Sequence, residues 1–216
     1  YTLQFADGTG SSATSQVDLN INGRGNLRYL SPLSFDERHR LSANIDYRYG
    51  SGIQYNGPRW FGADVFSEAG ISLQANAASG RPYTKEQRPD RFGSSGVGGA
   101  INGARLPWNF SLDMRIDKSF RIAGKENGKP LFMNVYLRVE NLLDQRNVVG
   151  VYAASGSAYD DGYLVTPNGQ SSIQTLIDSG REEDVDNYLI SYQWGELVPG
   201  FFTLPRRVYL GAVLQF

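Results

Sequence analysis

Apolar and polar residues alternate with period two over several stretches of this chain, which places successive side chains on opposite faces of a sheet. From Leu41 to Tyr49 the residues Leu41, Ala43, Ile45, Tyr47 and Tyr49 share one face, while Ser42, Asn44, Asp46 and Arg48 share the other. Between Trp108 and Phe120 the apolar set is Trp108, Phe110, Leu112, Met114 and Ile116, opposed by Asn109, Ser111, Asp113, Arg115 and Asp117. Leu131 to Val139 sets Leu131, Met133, Val135, Leu137 and Val139 against Asn134, Tyr136, Arg138 and Glu140. A weaker copy runs from Ala69 to Ala77, and Val208 to Phe216 places Val208, Leu210, Ala212, Leu214 and Phe216 on one face. With a stub at residues 1 to 5, this predicts about six strands of roughly the 9 to 11 residues that cross a bilayer when tilted.

The connections are of two kinds. Arg121 to Lys129, with Gly124, Asn127 and Gly128, reads as a short turn-rich link. Residues 6 to 38, 80 to 107 and 144 to 205 form long connections, with the shorter 50 to 68 between them. Compact soluble domains rarely carry several structureless loops of that size, whereas outer-membrane barrels pair short periplasmic turns with long extracellular loops. Within the longest, Val185, Tyr188, Leu189 and Tyr192 follow an acidic run at i, i+3, i+4, i+7 spacing and predict a helix.

Composition narrows the choice. The 216 residues hold 21 basic and 22 acidic side chains spread along the chain, so no one-signed patch attracts nucleic acid. Without cysteine there are no disulfides, thiolate metal sites or Cys nucleophiles. No apolar run approaches the roughly 20 residues of a spanning helix, but a strand barrel reads as polar on average. The chain opens on a strand-like Tyr-Thr-Leu-Gln-Phe, so an export signal is expected outside this span. A soluble β-sandwich also alternates and remains the rival. The barrel reading rests on polar faces that mix Asp and Arg with Asn, Ser, Gln and Tyr, and on aromatics near the strand ends that suit membrane-interface girdles.

Several segments resemble the end of TonB-dependent outer-membrane receptors of the Oar-like branch. Ser34-Phe35-Asp36-Glu37-Arg38-His39-Arg40 is similar to that family's lead into a downward strand, and Ser79-Gly80-Arg81-Pro82-Tyr83-Thr84 to its strand exit toward the outside. Trp108 to Phe120, Val139-Glu140-Asn141-Leu142-Leu143-Asp144 and Pro205 to Phe216 resemble its following strands. The resemblance implies an all-β fold, in which residues 1–216 are the C-terminal antiparallel strands of a transmembrane barrel of about 22 strands with long extracellular loops and a plugged lumen. The plug and remaining strands lie outside this span. It further implies outer-membrane localisation, transport of a bulky solute, and no enzymatic activity. The implied partners are outer-membrane lipid, the barrel-assembly machinery, the rest of the barrel with its plug, and TonB acting through the N-terminal part; a surface lipoprotein or other envelope partner is a further candidate. On this topology residues 6 to 38, 81 to 107 and 144 to 205 face outward, and 50 to 68 and 121 to 129 are periplasmic. The rival within the same class is a structural or adhesive barrel whose loops bind partners.

Candidate sites follow. Val208, Leu210, Gly211, Ala212, Leu214 and Phe216 look like the terminal signal read by the assembly machinery, beside the plainer role of a closing strand. The charges Asp46, Arg48, Asp113, Arg115, Asp117, Arg138 and Glu140 are assigned to the lumen, either as structural pairs or as a solute path, with Asp113 expected opposite Arg138 across a tight turn. Asp113 and Asp117 stand roughly 13 Å apart, too far for paired acid/base work. His39 is the only histidine and no G-x-S-x-G elbow occurs, so neither a His metal cluster nor catalysis is expected, and no cofactor. The Gly93 to Gly103 stretch lacks a phosphate-loop Lys and reads as flexible loop. Asp160 and Asp161 read as solvated turn acids, with calcium binding the alternative. Trp60, Arg81, Tyr83, Tyr159, Tyr163, Tyr192 and Trp194 are loop residues able to touch partners, with no single one assigned to a ligand.

Overall fold

The computed structural model describes residues 1–8, 30–123 and 131–215. In chain order its strands are β1 Thr2–Leu3, β2 Asp7–Gly8, β3 Ser31–Pro32, β4 His39–Arg48, β5 Ala69–Ala78, β6 Pro82–Tyr83, β7 Glu86–Asp90, β8 Gly93–Val97, β9 Ala104–Arg105, β10 Asn109–Ala123, β11 Leu131–Glu140 and β12 Arg207–Gln215. Two α-helices, α1 Pro167–Asp178 and α2 Asp184–Glu196, precede β12. The fold is mostly antiparallel sheet with few helices, and among the described residues no helix is long and apolar enough to cross a membrane.

The chain forms two compact units, one of Tyr1–Arg40, Ala78–Asn109 and Arg146–Thr203, the other of Leu41–Ala77, Phe110–Gln145 and Leu204–Phe216. The long strands of the second belong to a six-stranded sheet in the order β1-β4-β5-β10-β11-β12, in which β5 pairs with β10 although β6 to β9 lie between them in the chain. These strands fall where the alternation places them. Ile116 pairs with Leu137, Phe120 with Met133, Leu137 with Leu210 and Val139 with Val208, so the apolar positions merge into one face. Much of that face is uncovered: Ile45 is 63% exposed and Leu210 78%. The one charge on this face among the described strand residues is Lys118, opposite Val135. Its ammonium donates to the Val65 carbonyl and stands 5.3 Å from the Phe120 ring centre. Buried apolar residues are sparse; among the described residues of this unit they are Tyr55 and Val139.

The register corrects one expected pair. Arg138 lies opposite Arg115, not Asp113. β10 continues to Ala123 with a register shift between Arg121 and Ala123, and β11 starts at Leu131, so the link is displaced along the chain from the tight turn assumed at 121 to 129. Because side chains repeat every two residues, a slip of two keeps each residue on its face and changes only its partner. Gly124, Asn127 and Gly128 lie outside the described residues.

The first unit gathers most of the three long connections, whose described residues include short strands and helices. β1 pairs with the opening residues of β4 (Thr2 with Arg40, Leu3 with His39), β2 with β3, and β6 with β9. β7 and β8 form a hairpin, so the glycine-rich stretch expected to be flexible loop is strand from Gly93 to Val97. Most of residues 6 to 38 lies outside the described residues. Helix α2 covers the spacing that predicts it and buries Tyr192 and Glu196 one turn apart. Helix α1 was not anticipated, although its start signals are in the sequence: Thr166 Oγ1 accepts the Gly169 N–H at 3.1 Å and Pro167 takes the first turn.

Candidate functional site

Period-two alternation brings the charges assigned to the lumen onto the polar face of the second unit. Asp117, on β10, is buried among them and accepts both nitrogen–oxygen contacts of Arg48 on β4, at 2.9 and 3.0 Å. Asn134 on β11 donates to the same carboxylate at 2.9 Å and to Ser119 at 3.1 Å, and Arg115 stands 3.9 Å away. Glu140 accepts Arg138 at 2.8 Å and, from β12, Arg207 at 2.7 Å. Asp113 accepts the Asn141 N–H at 2.8 Å, which caps the end of β11 rather than pairing an arginine. Asp46 is exposed on β4. Two ion pairs therefore cross between strands, Arg48 to Asp117 from β4 to β10 and Arg207 to Glu140 from β12 to β11, and the Asn134 hydrogen bond joins β10 to β11.

On β12, Val208, Leu210, Ala212 and Leu214 take the apolar face and Gly211 the polar one, while Phe216 lies outside the described residues. Gly211 has a steric reason. It faces Tyr136, whose ring would stand 2.5 Å from a Cβ at that position, and Arg115 lies over the same ring at 4.5 Å. Glycine on β12 thus lets the ring lie across the strand and receive the cation. Gly211→Val is expected to lower unfolding free energy by about 1–3 kcal/mol, measured by urea titration. Tyr136→Ala in the same background should recover much of the loss, because the clash goes with the ring.

In the first unit the two motifs behind the family resemblance converge. Asp36 is fully buried and accepts the Ala6 N–H at 3.2 Å, Arg38 at 3.4 Å and Arg105. Arg105 also donates to the carbonyls of Asp36, at 2.9 Å, and Gly80, at 3.3 Å. Glu37 pairs with Arg81 at 2.9 Å, and the His39 N–H donates to Ser79 at 3.1 Å. Gly80 admits no side chain, since a Cβ there would meet the Leu106 carbonyl oxygen at 1.7 Å. Burial opposes ionisation of Asp36, but the Arg105 hydrogen bond, the Ala6 amide and the two guanidinium charges hold its carboxyl below the usual range. His39 stacks between Tyr1 and Trp108, with ring centres 6.2 and 5.8 Å away, and its Nδ1 lies 2.8 Å from the Tyr1 hydroxyl.

A second polar cluster closes the helical segment. Asp161, expected in solvent, is fully buried. Its oxygens accept the Phe92 N–H at 2.8 Å, the Tyr192 hydroxyl at 2.6 Å and the Tyr163 N–H at 2.7 Å. Its own N–H donates to Glu196 at 3.0 Å, and Tyr152 donates to the Glu196 carbonyl at 2.9 Å. The carboxylates of Asp160, Asp161 and Glu196 approach within 4.8 Å of one another, but Asp161 already has three donors and holds loop to helix. Beside it opens a groove of about 680 Å³ lined by Tyr159, Asp160, Val165, Trp194, Glu196 and Leu197. Trp60 lies in the second unit, in a tight turn bonded both ways to Ala63. Comparison with protein-family models, with curated proteins and with solved structures finds no match. The site is therefore read from its own chemistry, which holds chain segments in place and offers an aromatic, acidic groove.

Burial raises the Glu196 carboxyl above its usual range; the Asp161 amide opposes this, and the nearby charges of Asp161 and Asp160 add to it. A raised carboxyl pKa favours the protonated folded form. Its contribution is complete below the unfolded value of about 4.3 and is lost as pH rises through the folded value. Exchange of the Asp161 amide is expected to accelerate over that interval beyond its intrinsic pH trend. Glu196→Gln should remove the excess, as read by hydrogen exchange.

Sequence reasoning missed Arg105, Tyr152 and Glu196 as structural partners. All three act over long separations: Arg105 is 69 residues from Asp36, and Tyr152 is 44 from Glu196. Gly211 and Gly70, glycines inside strands, each carry a local signal of close approach, to the Tyr136 ring and to the Arg48 guanidinium.

Proposed function

We propose that this chain is the C-terminal strand segment of an outer-membrane β-barrel, of the Oar-like TonB-dependent transporter kind it resembles, helping to move a bulky solute through a plugged lumen. The observation that carries the reading is the second unit's two-faced sheet. One face is largely uncovered aliphatic and aromatic surface, with Lys118 the one charge among its described strand residues, and the other carries cross-strand ion pairs from Arg48 to Asp117 and from Arg207 to Glu140. A water-soluble sheet buries its apolar face, and uncovered apolar patches on soluble monomers rarely exceed a few hundred Å². Lipid reverses that requirement and favours polar residues inside.

On this reading the protein resides in the outer membrane of a Gram-negative envelope and performs no catalysis. Its edge strands pair with further strands of the same barrel, since unpaired backbone groups in lipid cost several kcal/mol each. The assembly machinery would recognise β12 and Phe216, and plug and TonB would act through other parts of the protein. A structural or adhesive barrel is the second reading, favoured by the folded first unit and its exposed Trp194 and Tyr159 around the groove.

Intact mass and N-terminal mapping of the protein extracted from outer membranes in detergent tests the proposal. A parent several hundred residues longer, with a plug and TonB box, supports transport. A parent barrel without them favours the adhesive reading. A free species that stays dispersed without detergent overturns both.

A further inference from the structure

We infer that the apolar face of the second unit carries a site for an anionic phospholipid, with an acyl chain in a niche between β4, β5 and β10 and the headgroup at Lys118. This rests on the barrel reading. The niche, about 200 Å³, is lined by Tyr47, Tyr49, Phe66, Ala69, Ile71 and Ile116. It is an open niche with an aromatic and aliphatic lining, a surface that favours apolar over aqueous contact. The connection from β4 to β5 builds its rim. Tyr55 is buried there and donates to the Pro58 carbonyl at 2.6 Å, and its hydroxyl accepts the Phe66 N–H at 3.4 Å. Tyr49 then packs against Tyr55 and Phe66, each with ring centres 5.9 Å away.

Lys118 supplies the polar end. It follows Ile116 by two residues on the same strand face, roughly 7 Å along β10. Its ammonium turns toward the Val65 carbonyl and the Phe120 ring, and among the described residues no carboxylate lies within ion-pairing distance. A carbonyl takes one of the three N–H donors. A lysine on a lipid-facing strand is unfavourable except near the headgroups, where its stem lies along apolar surface and its charge reaches an anion. A phosphate with a net negative charge fits that need, and its chain fits the niche beside it. A zwitterionic lipid offers the same chain with weaker attraction. One cation near a headgroup corresponds to a preference of about fivefold.

The test uses the full parent protein in detergent, titrated with phosphatidylglycerol and phosphatidylcholine of identical chains, the first lipid adduct being read by native mass spectrometry. Phosphatidylglycerol is expected to bind about fivefold better. Lys118→Gln should remove the preference and Lys118→Arg keep it, while Ala69→Trp, filling the niche, should weaken both lipids. Equal binding of the two lipids, or a preference that Lys118→Gln leaves intact, overturns the inference while leaving the barrel reading standing. A protein dispersed without detergent that takes up neither lipid overturns the barrel reading itself.

Discussion

Leu210→Lys is expected to destabilise the protein in lipid vesicles by about 2–4 kcal/mol, the range for a lysine placed on the lipid face near the middle of a spanning strand. Leu210 stands mid-way along β12 opposite Leu137 and is 78% exposed. In water, replacing so exposed a leucine by lysine changes stability by no more than about 0.5 kcal/mol. The same substitution therefore separates the two surroundings sharply. Val213→Lys is the internal control: it lies on the same strand but faces Asn134 on the polar side, so it should have a much smaller effect. Urea unfolding of both variants in vesicles decides the matter. Equal, small losses would mean that the apolar face does not meet lipid, and would return the case to a soluble sheet with a missing cover.

Asp36→Ala is expected to weaken the first unit by about 3 kcal/mol, because it leaves the Arg105 guanidinium facing two carbonyls with its counter-charge removed. Both side chains are largely shielded from water, so little solvent screening softens the loss. The Ala6 amide, which donates to Asp36, is the local reporter, and its hydrogen exchange should accelerate about 100-fold. The pH dependence has a definite sign. A depressed carboxyl pKa contributes stability above the unfolded value of about 3.9 and loses it as pH falls through the folded value. The native protein should loosen at Ala6 only in that acid range, and Asp36→Ala should show no such transition. Unchanged exchange at Ala6 would mean that the convergence of the two motifs is not what holds this unit.

The strands were legible in the sequence because their cause is local. Alternation from Leu41, Trp108, Leu131 and Val208 depends only on the two-residue repeat of an extended chain, and β4, β10, β11 and β12 stand there. The face of each charged residue was legible for the same reason, as was helix α2 from its spacing. Partners were not. Asp113 and Arg138 share the expected face, yet a displacement of the link after β10 moves the register by two and sets Arg138 against Arg115. The long connections were likewise opaque. Their order comes from ties such as Asp36 to Arg105 and Asp161 to Phe92 and Tyr192, which join residues far apart in the chain and leave no periodic trace. By itself the sequence determined the long alternating strands and which side each of their residues presents, since backbone geometry sets both, but not the short strands inside the long connections. Only the tertiary structure decided which residue meets which and which polar group is buried, because register, loop folding and desolvation depend on contacts that no local pattern encodes.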